Sequence, residues 1–207
     1  MPSHNDRNEP VLTFATAREL ETHLSGASAG SAGFWLKLAK AGAPTVTIGK
    51  GDAIEVALCW GWIDGQLAKF DEHHFLVRMT PRRPGSRWSA KNRAAAIRLA
   101  QAGRLQPPGL AEVEAAKADG RWDAAYASQG TAELPDDLAI ALASNQAAKQ
   151  FFEALDRANR FAIIYRVNDA KRAATRARRI ANFVDMLARG EAIHPRKTPK
   201  AATHIRG

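Results

Sequence analysis

Apolar residues alternate with polar ones at a period of two only between residues 34 and 80, and from Ser89 onward they recur at helical spacing. Strand side chains face opposite ways in turn, whereas a helix face repeats about every 3.6 residues, so the two patterns demand different elements. Phe34, Leu36 and Leu38 in "FWLKLAK" share one face of a strand, with Trp35 and Lys37 on the other. "WIDGQLAKF" (62–70) and "HFLVRMT" (74–80) flank the short "DEH" turn and predict an antiparallel hairpin. Strands gathered in one half and helices in the other predict an α+β protein. A small N-terminal antiparallel sheet with packed helices is followed by a C-terminal helical bundle.

The helices have their own signals. "FATARELETHL" (14–24) places Ala17, Leu20 and Leu24 on one face behind a Thr16 cap. Asp52 is placed to cap "AIEVALCWG", whose stripe of Ile54, Ala57 and Leu58 stops at Gly61. Ser89 caps the next helix by accepting from the N–H of Lys91 or Asn92. A shorter helix follows Pro108 and Gly109. Asn145 caps "QAAKQFFEAL", with Ala148, Phe151, Phe152 and Leu155 inward. Phe161, Ile164, Tyr165 and Val167 form the next stripe, and Ile180, Phe183, Val184 and Leu187 the last. The expected organisation is a disordered leader over 1–13, an α+β domain over 14–127, a linker over 128–137, a helical module over 138–190 and a flexible tail over 191–207.

Charge is divided as unevenly as pattern. Residues 1–77 hold six Lys/Arg against nine Asp/Glu, and residues 78–207 hold 24 against 12. A basic half points to an anionic partner, with solubility as the plainer explanation. No apolar run approaches the roughly 18 residues that cross a bilayer. The polar start lacks the features of a secretory signal, which predicts a cytoplasmic chain. The single cysteine, Cys59, excludes an internal disulfide and a multi-cysteine metal site.

"RMTPRRPGSRWSAKN" (78–92) contains five basic residues and no acid. Pro81, Pro84 and Gly85 exclude regular structure, and the segment runs into the helix begun by Ser89. The N–H groups and dipole of a helix start favour an anion, and arginine grips two oxygens at once. Arg78, Arg82, Arg83, Arg87, Trp88 and Ser89 are therefore a candidate anion site. The alternative is structural: Trp88 staples the helix start, and the arginines pair with Asp64, Asp71 or Glu72. Trp60, Trp62, Asp64 and Gln66 form a candidate cleft in which Asp64 orients a ligand or acts as a base. In the alternative, both tryptophans anchor the core. Arg172, Arg176 and Arg179 share one helix face suited to nucleic acid backbone, or simply to solvent. Cys59 reads as a buried small apolar residue. His73 and His74 face opposite ways on a strand, and no HExxH spacing occurs, so no metal is expected. Walker, Rossmann and G-x-S-x-G strings are missing, and no cofactor is expected.

"ALCWGWIDGQ" (57–66), "RMTPRRPGSRWSAKN" (78–92), "AGRLQPPGLAEVEAAKADGRWD" (102–123) and "AKQFFEALDRANRFAIIYRVNDAKRAATRARRI" (148–180) together resemble the bacterial YdeI/OmpD-associated, or bacteriocin-protection, family. The likeness extends over about residues 14–195. It departs at Ala173 and Ala174, where the family usually has Pro and Glu before "TRARRI". The resemblance implies a cytosolic protein linked to envelope stress and antimicrobial-peptide resistance, with no implied reaction. The resulting expectation is a non-catalytic binder of an anionic small molecule or a protein partner. Nucleic acid binding through 78–93 and 171–189 is one alternative. An enzyme using Trp60, Trp62, Asp64 and Arg82 is the other.

Overall fold

The computed structural model describes residues 9–27, 30–127 and 131–195, and the chain divides into two compact units between Tyr126 and Ala127. The first unit is built on a four-stranded sheet of β1 (Val11–Leu12), β2 (Phe34–Ala39), β3 (Trp62–Lys69) and β4 (His74–Pro81), in the order β1-β2-β4-β3. β3 and β4 form the expected hairpin, with a register shift between Asp64 and Leu67, and β4 pairs antiparallel with β2. The end of the leader expected over 1–13 is ordered instead, because Val11 and Leu12 pair parallel with Trp35 and Leu36. Extended backbone here completes hydrogen bonds that β2 would otherwise leave open: the Trp35 N–H donates to the Pro10 carbonyl at 2.8 Å. Residues 1–8 lie outside the described residues.

One sheet face is covered by α1 (Ala17–Ser25) and α2 (Lys50–Cys59). Leu20, Leu24, Phe34, Leu36, Val56, Trp62, Val77 and Met79 are all buried in this core. α2 begins after Gly49 rather than at an Asp52 cap, and Asp52 lies in its first turn. The far side of α2 supplies Leu58 and Cys59 to a second core with α3 (Ala90–Gln101) and α4 (Pro107–Ala118), where Trp88, Leu99, Val113 and Ala116 are buried. α3 starts as expected, with the Asn92 N–H donating to Ser89 Oγ at 3.1 Å.

The second unit holds α5 (Asp136–Ala143), α6 (Gln146–Ala154), α7 (Arg157–Asn168) and α8 (Ala173–Ala188) around its own core of Leu138, Leu142, Phe152, Ile163, Val167, Ile180 and Leu187. The caps are local: Asn145 accepts from the Ala148 N–H and Asp156 from the Asn159 N–H. α7 is rotated from its expected stripe, burying Ile163, Ile164 and Val167 while Phe161 and Tyr165 are only partly covered. α5 begins inside the expected linker, of which residues 128–130 lie outside the described residues. The tail expected from 191 is docked at its start. Ala192 and Ile193 pack on the bundle core, and Asn159 exchanges hydrogen bonds with the His194 backbone at 2.8 and 3.3 Å. Residues 196–207 lie outside the described residues.

Candidate functional site

Where β4 ends, Arg82 turns inward. Its backbone N–H donates to the Gly61 carbonyl at 2.9 Å, which ties the loop to the corner between α2 and β3. The side chain is 6 % exposed. Its guanidinium carbon stands 3.8 Å from the centre of the Trp88 ring, and Nη1 donates to the Arg87 carbonyl at 3.3 Å. Among the described residues, neither Nε nor Nη2 meets an acceptor, and both are closed to solvent. Leaving a buried donor unmatched costs about 1–3 kcal/mol, more for a charged group. Burial is the main influence on the guanidinium and pushes its pKa down to about 10. Nearby Glu112, Tyr126 and Asp64 act the other way, and Arg121 acts with burial. The group therefore remains a cation at neutral pH.

Two glycines set the backbone approach beside this corner. Gly61 has φ +72°, and a Cβ there would lie 2.9 Å from the Pro108 carbonyl oxygen. At Gly109 a Cβ would lie 2.3 Å from the Cys59 carbonyl oxygen, closer than any side chain permits. Their lack of side chains lets the start of α4 rest directly on the end of α2. Glu112 is thereby carried to the same corner as both tryptophans. Trp60, Trp62, Arg82 and Glu112, with Leu24 and Pro108, line a cavity of about 300 Å³. That is the lower end of the range for small-molecule sites.

The structure thus joins parts of two candidate groups and leaves others out. Trp62 is 4 % exposed and lies against Phe34 with ring centres 5.7 Å apart, so it is both core anchor and cavity wall. Asp64 is half-buried on β3, and Gln66 is exposed beside the bulge. Arg78 is held on the sheet by Glu9, with Nε–Oε2 at 2.7 Å and Nη2–Oε1 at 2.5 Å. Arg83 is exposed, and Arg87 is half-buried. Trp88 is buried edge-on to Trp122 at 4.9 Å. The vacancy expected at the opening turn of α3 is not assembled. Ser89 Oγ already serves Asn92, and the Ala90 N–H donates to the Tyr126 carbonyl at 2.8 Å. Glu112 escaped sequence reading, although a glycine in the first turn of "PPGLAEVE" was the available sign of close backbone approach.

The basic face of α8 is largely occupied. Arg176 grips Asp137 through Nε and Nη2 at 2.5 and 2.8 Å, and its Nη1 donates to the Val167 carbonyl at 3.0 Å. Arg179 donates to the Arg166 carbonyl and to Asp169 Oδ2 at 3.2 Å. These bonds reach carbonyls in the last turn of α7. Arg172 stands exposed at the N-cap of α8. His74 bridges Asp71 and Thr45, with contacts of 2.9 Å at each ring nitrogen, and so fastens the hairpin turn to the loop before α2. Burial pushes the Cys59 thiol up in pKa, away from thiolate formation. Among the described residues, no group of three or more His, Cys, Asp or Glu is placed to hold a metal ion, and no helix is long and apolar enough to cross a membrane. The second unit carries an open groove of about 570 Å³ lined by Leu142, Phe152, Phe161 and Ile164, with Arg157 and Arg160 beside them.

Comparison with known families separates the same two units. Residues 12–112 match a domain of unknown function, DUF8412, and residues 131–190 match the family described as Bacteriocin-protection, YdeI or OmpD-Associated. No curated protein and no solved structure matches the chain.

Proposed function

With residues 131–190 belonging to the YdeI/OmpD-associated, bacteriocin-protection family, we propose that the chain is a non-catalytic binding protein whose first unit takes a small anionic ligand at Arg82. The observation that carries this reading is the buried guanidinium with two unmatched donors beside a cavity walled by Trp60 and Trp62. Native structures rarely leave such donors idle, and an unfilled ligand position is one physical reason for the exception. In this reading the protein acts in envelope stress or antimicrobial-peptide resistance, a role that the family match over residues 131–190 supports. The route is indirect, because a chain of net charge +9 repels a cationic peptide. The engagement of Arg176 and Arg179 within the bundle weighs against nucleic acid binding through α8.

Thermal denaturation against nucleotides, phosphosugars, small carboxylates including free amino acids, and short RNA or DNA tests the proposal. A ligand that binds only the folded state stabilises by about 2.7 kcal/mol at 100 times its Kd. At least one ligand carrying an anionic group is expected to raise the melting temperature, with the shift lost in Arg82→Gln. A panel without any shift, or a shift indifferent to that substitution, refutes it. In this reading the chain works in the cytoplasm, and recovery of a tagged full-length chain with the periplasmic or membrane fraction would contradict that placement.

A further inference from the structure

We infer that the ligand at Arg82 is a small zwitterion, with a carboxylate for the guanidinium and an ammonium group for Glu112, as in a free α-amino acid. This rests on reading Arg82 as a binding group. The Nε and Nη2 donors of arginine point the same way along one edge and match the two oxygens of a carboxylate. Among the described residues, three other arginines use that edge, each on a carboxylate: Arg78 on Glu9, Arg176 on Asp137 and Arg189 on Glu191. Arg82 has Nη1 committed to the Arg87 carbonyl and this same edge unmatched.

Glu112 supplies the second half of the argument. Of the neighbouring charges it acts most strongly on Arg82, yet no hydrogen bond joins the two. Arg82 and Glu112 thus line one cavity without a hydrogen bond between them. A ligand with opposite charges at its two ends satisfies both, with its apolar part against Trp60 and Trp62. Inorganic phosphate would satisfy Arg82 but set like charge against Glu112. The cavity volume of about 300 Å³ suits an amino acid better than a nucleotide. Because Nε and Nη2 are closed to solvent, occupancy requires the guanidinium to leave its place over Trp88. Binding should consequently alter tryptophan emission.

The test titrates the full chain with L-alanine, L-leucine, acetate, methylammonium and inorganic phosphate, following melting temperature and tryptophan fluorescence. At least one of the two amino acids is expected to bind ten-fold or more tightly than acetate or methylammonium, with a change in emission. Arg82→Lys keeps the charge but loses the two-pronged edge, and should weaken that binding at least ten-fold. Glu112→Gln should bring amino acid and acetate to within about three-fold of each other. Each variant is compared with its own unliganded melting temperature, so altered stability does not obscure the reading. Phosphate or acetate binding through Arg82 as tightly as either amino acid overturns the zwitterion and leaves the anion site standing. Amino acid binding indifferent to both substitutions overturns it too. Failure of the amino acids, acetate and phosphate alike to bind removes both readings.

Discussion

At Arg82 the fold keeps a charge where a neutral side chain of the same length would leave no donor unmatched. Arg82→Met is therefore expected to raise the melting temperature of the unliganded protein, by an amount equivalent to about 1–3 kcal/mol, while abolishing ligand response. A lower melting temperature in calorimetry would mean that stacking on Trp88 outweighs the unmatched donors. Trp62 behaves in the opposite sense. It is buried against Phe34, and Trp62→Ala should destabilise by about 3–5 kcal/mol in urea titration. Residue roles set by immediate neighbours were legible in the sequence: Ser89 and Asn145 cap the helices they precede. The inward turn of Arg82 was not, because it depends on the Gly61 carbonyl, some twenty positions earlier in the chain. Glu9 was hidden for a similar reason, since only the pairing of β1 with β2 brings it to Arg78.

Among the elements, α8 opens on two alanines, Ala173 and Ala174. Ala173 is the first helical residue, and Arg172 before it has φ −103° and ψ 134° with no side-chain cap. That backbone is the one a following proline prefers, and an acid in the first turn complements the helix dipole. Ala173→Pro with Ala174→Glu should stabilise by about 1 kcal/mol in total, read as a higher urea midpoint at unchanged slope. Unchanged or reduced stability would show that the N–H of Ala173 is needed. The joint between α5 and α8 responds to acid. The Arg176 guanidinium holds the Asp137 carboxyl below the usual carboxylate range. The contribution of the pair is thus complete above about pH 4 and fades as the pH falls through the lower folded value. The difference in melting temperature between the native chain and Asp137→Asn should therefore be widest near neutrality and close in acid. Element type was readable from period alone, but phase was not always. α2 faces two cores, so its apolar residues run nearly around it and no single stripe orients it. α7 likewise has adjacent buried residues, Ala162 to Ile164, that admit more than one rotation.

The whole molecule has two units, each enclosing its own core. All five tryptophans fall in the first, at positions 35, 60, 62, 88 and 122. Emission therefore follows the unfolding of that unit, whereas far-ultraviolet circular dichroism follows helices in both. Leu138, fully buried in the second unit, is the useful probe. Leu138→Ala should cost about 2–5 kcal/mol there, moving the circular dichroism transition to lower urea while emission holds its midpoint. Equal movement of both signals would show that the units unfold together. The change of apolar period at Ser89 marks where the strands end and not where the units divide, since α3 and α4 follow it within the first unit. The cavity was not legible in the sequence, because it arises from backbone touching backbone at Gly61 and Gly109.

Cys59 ends α2 with 1 % of its surface exposed, and it is the only thiol in the sequence. An alkylating reagent can reach it only while that seam gapes, so the protein contains its own stopwatch. The pace of labelling counts how often the two cores part around α2, and a ligand that braces the neighbouring corner should slow the count.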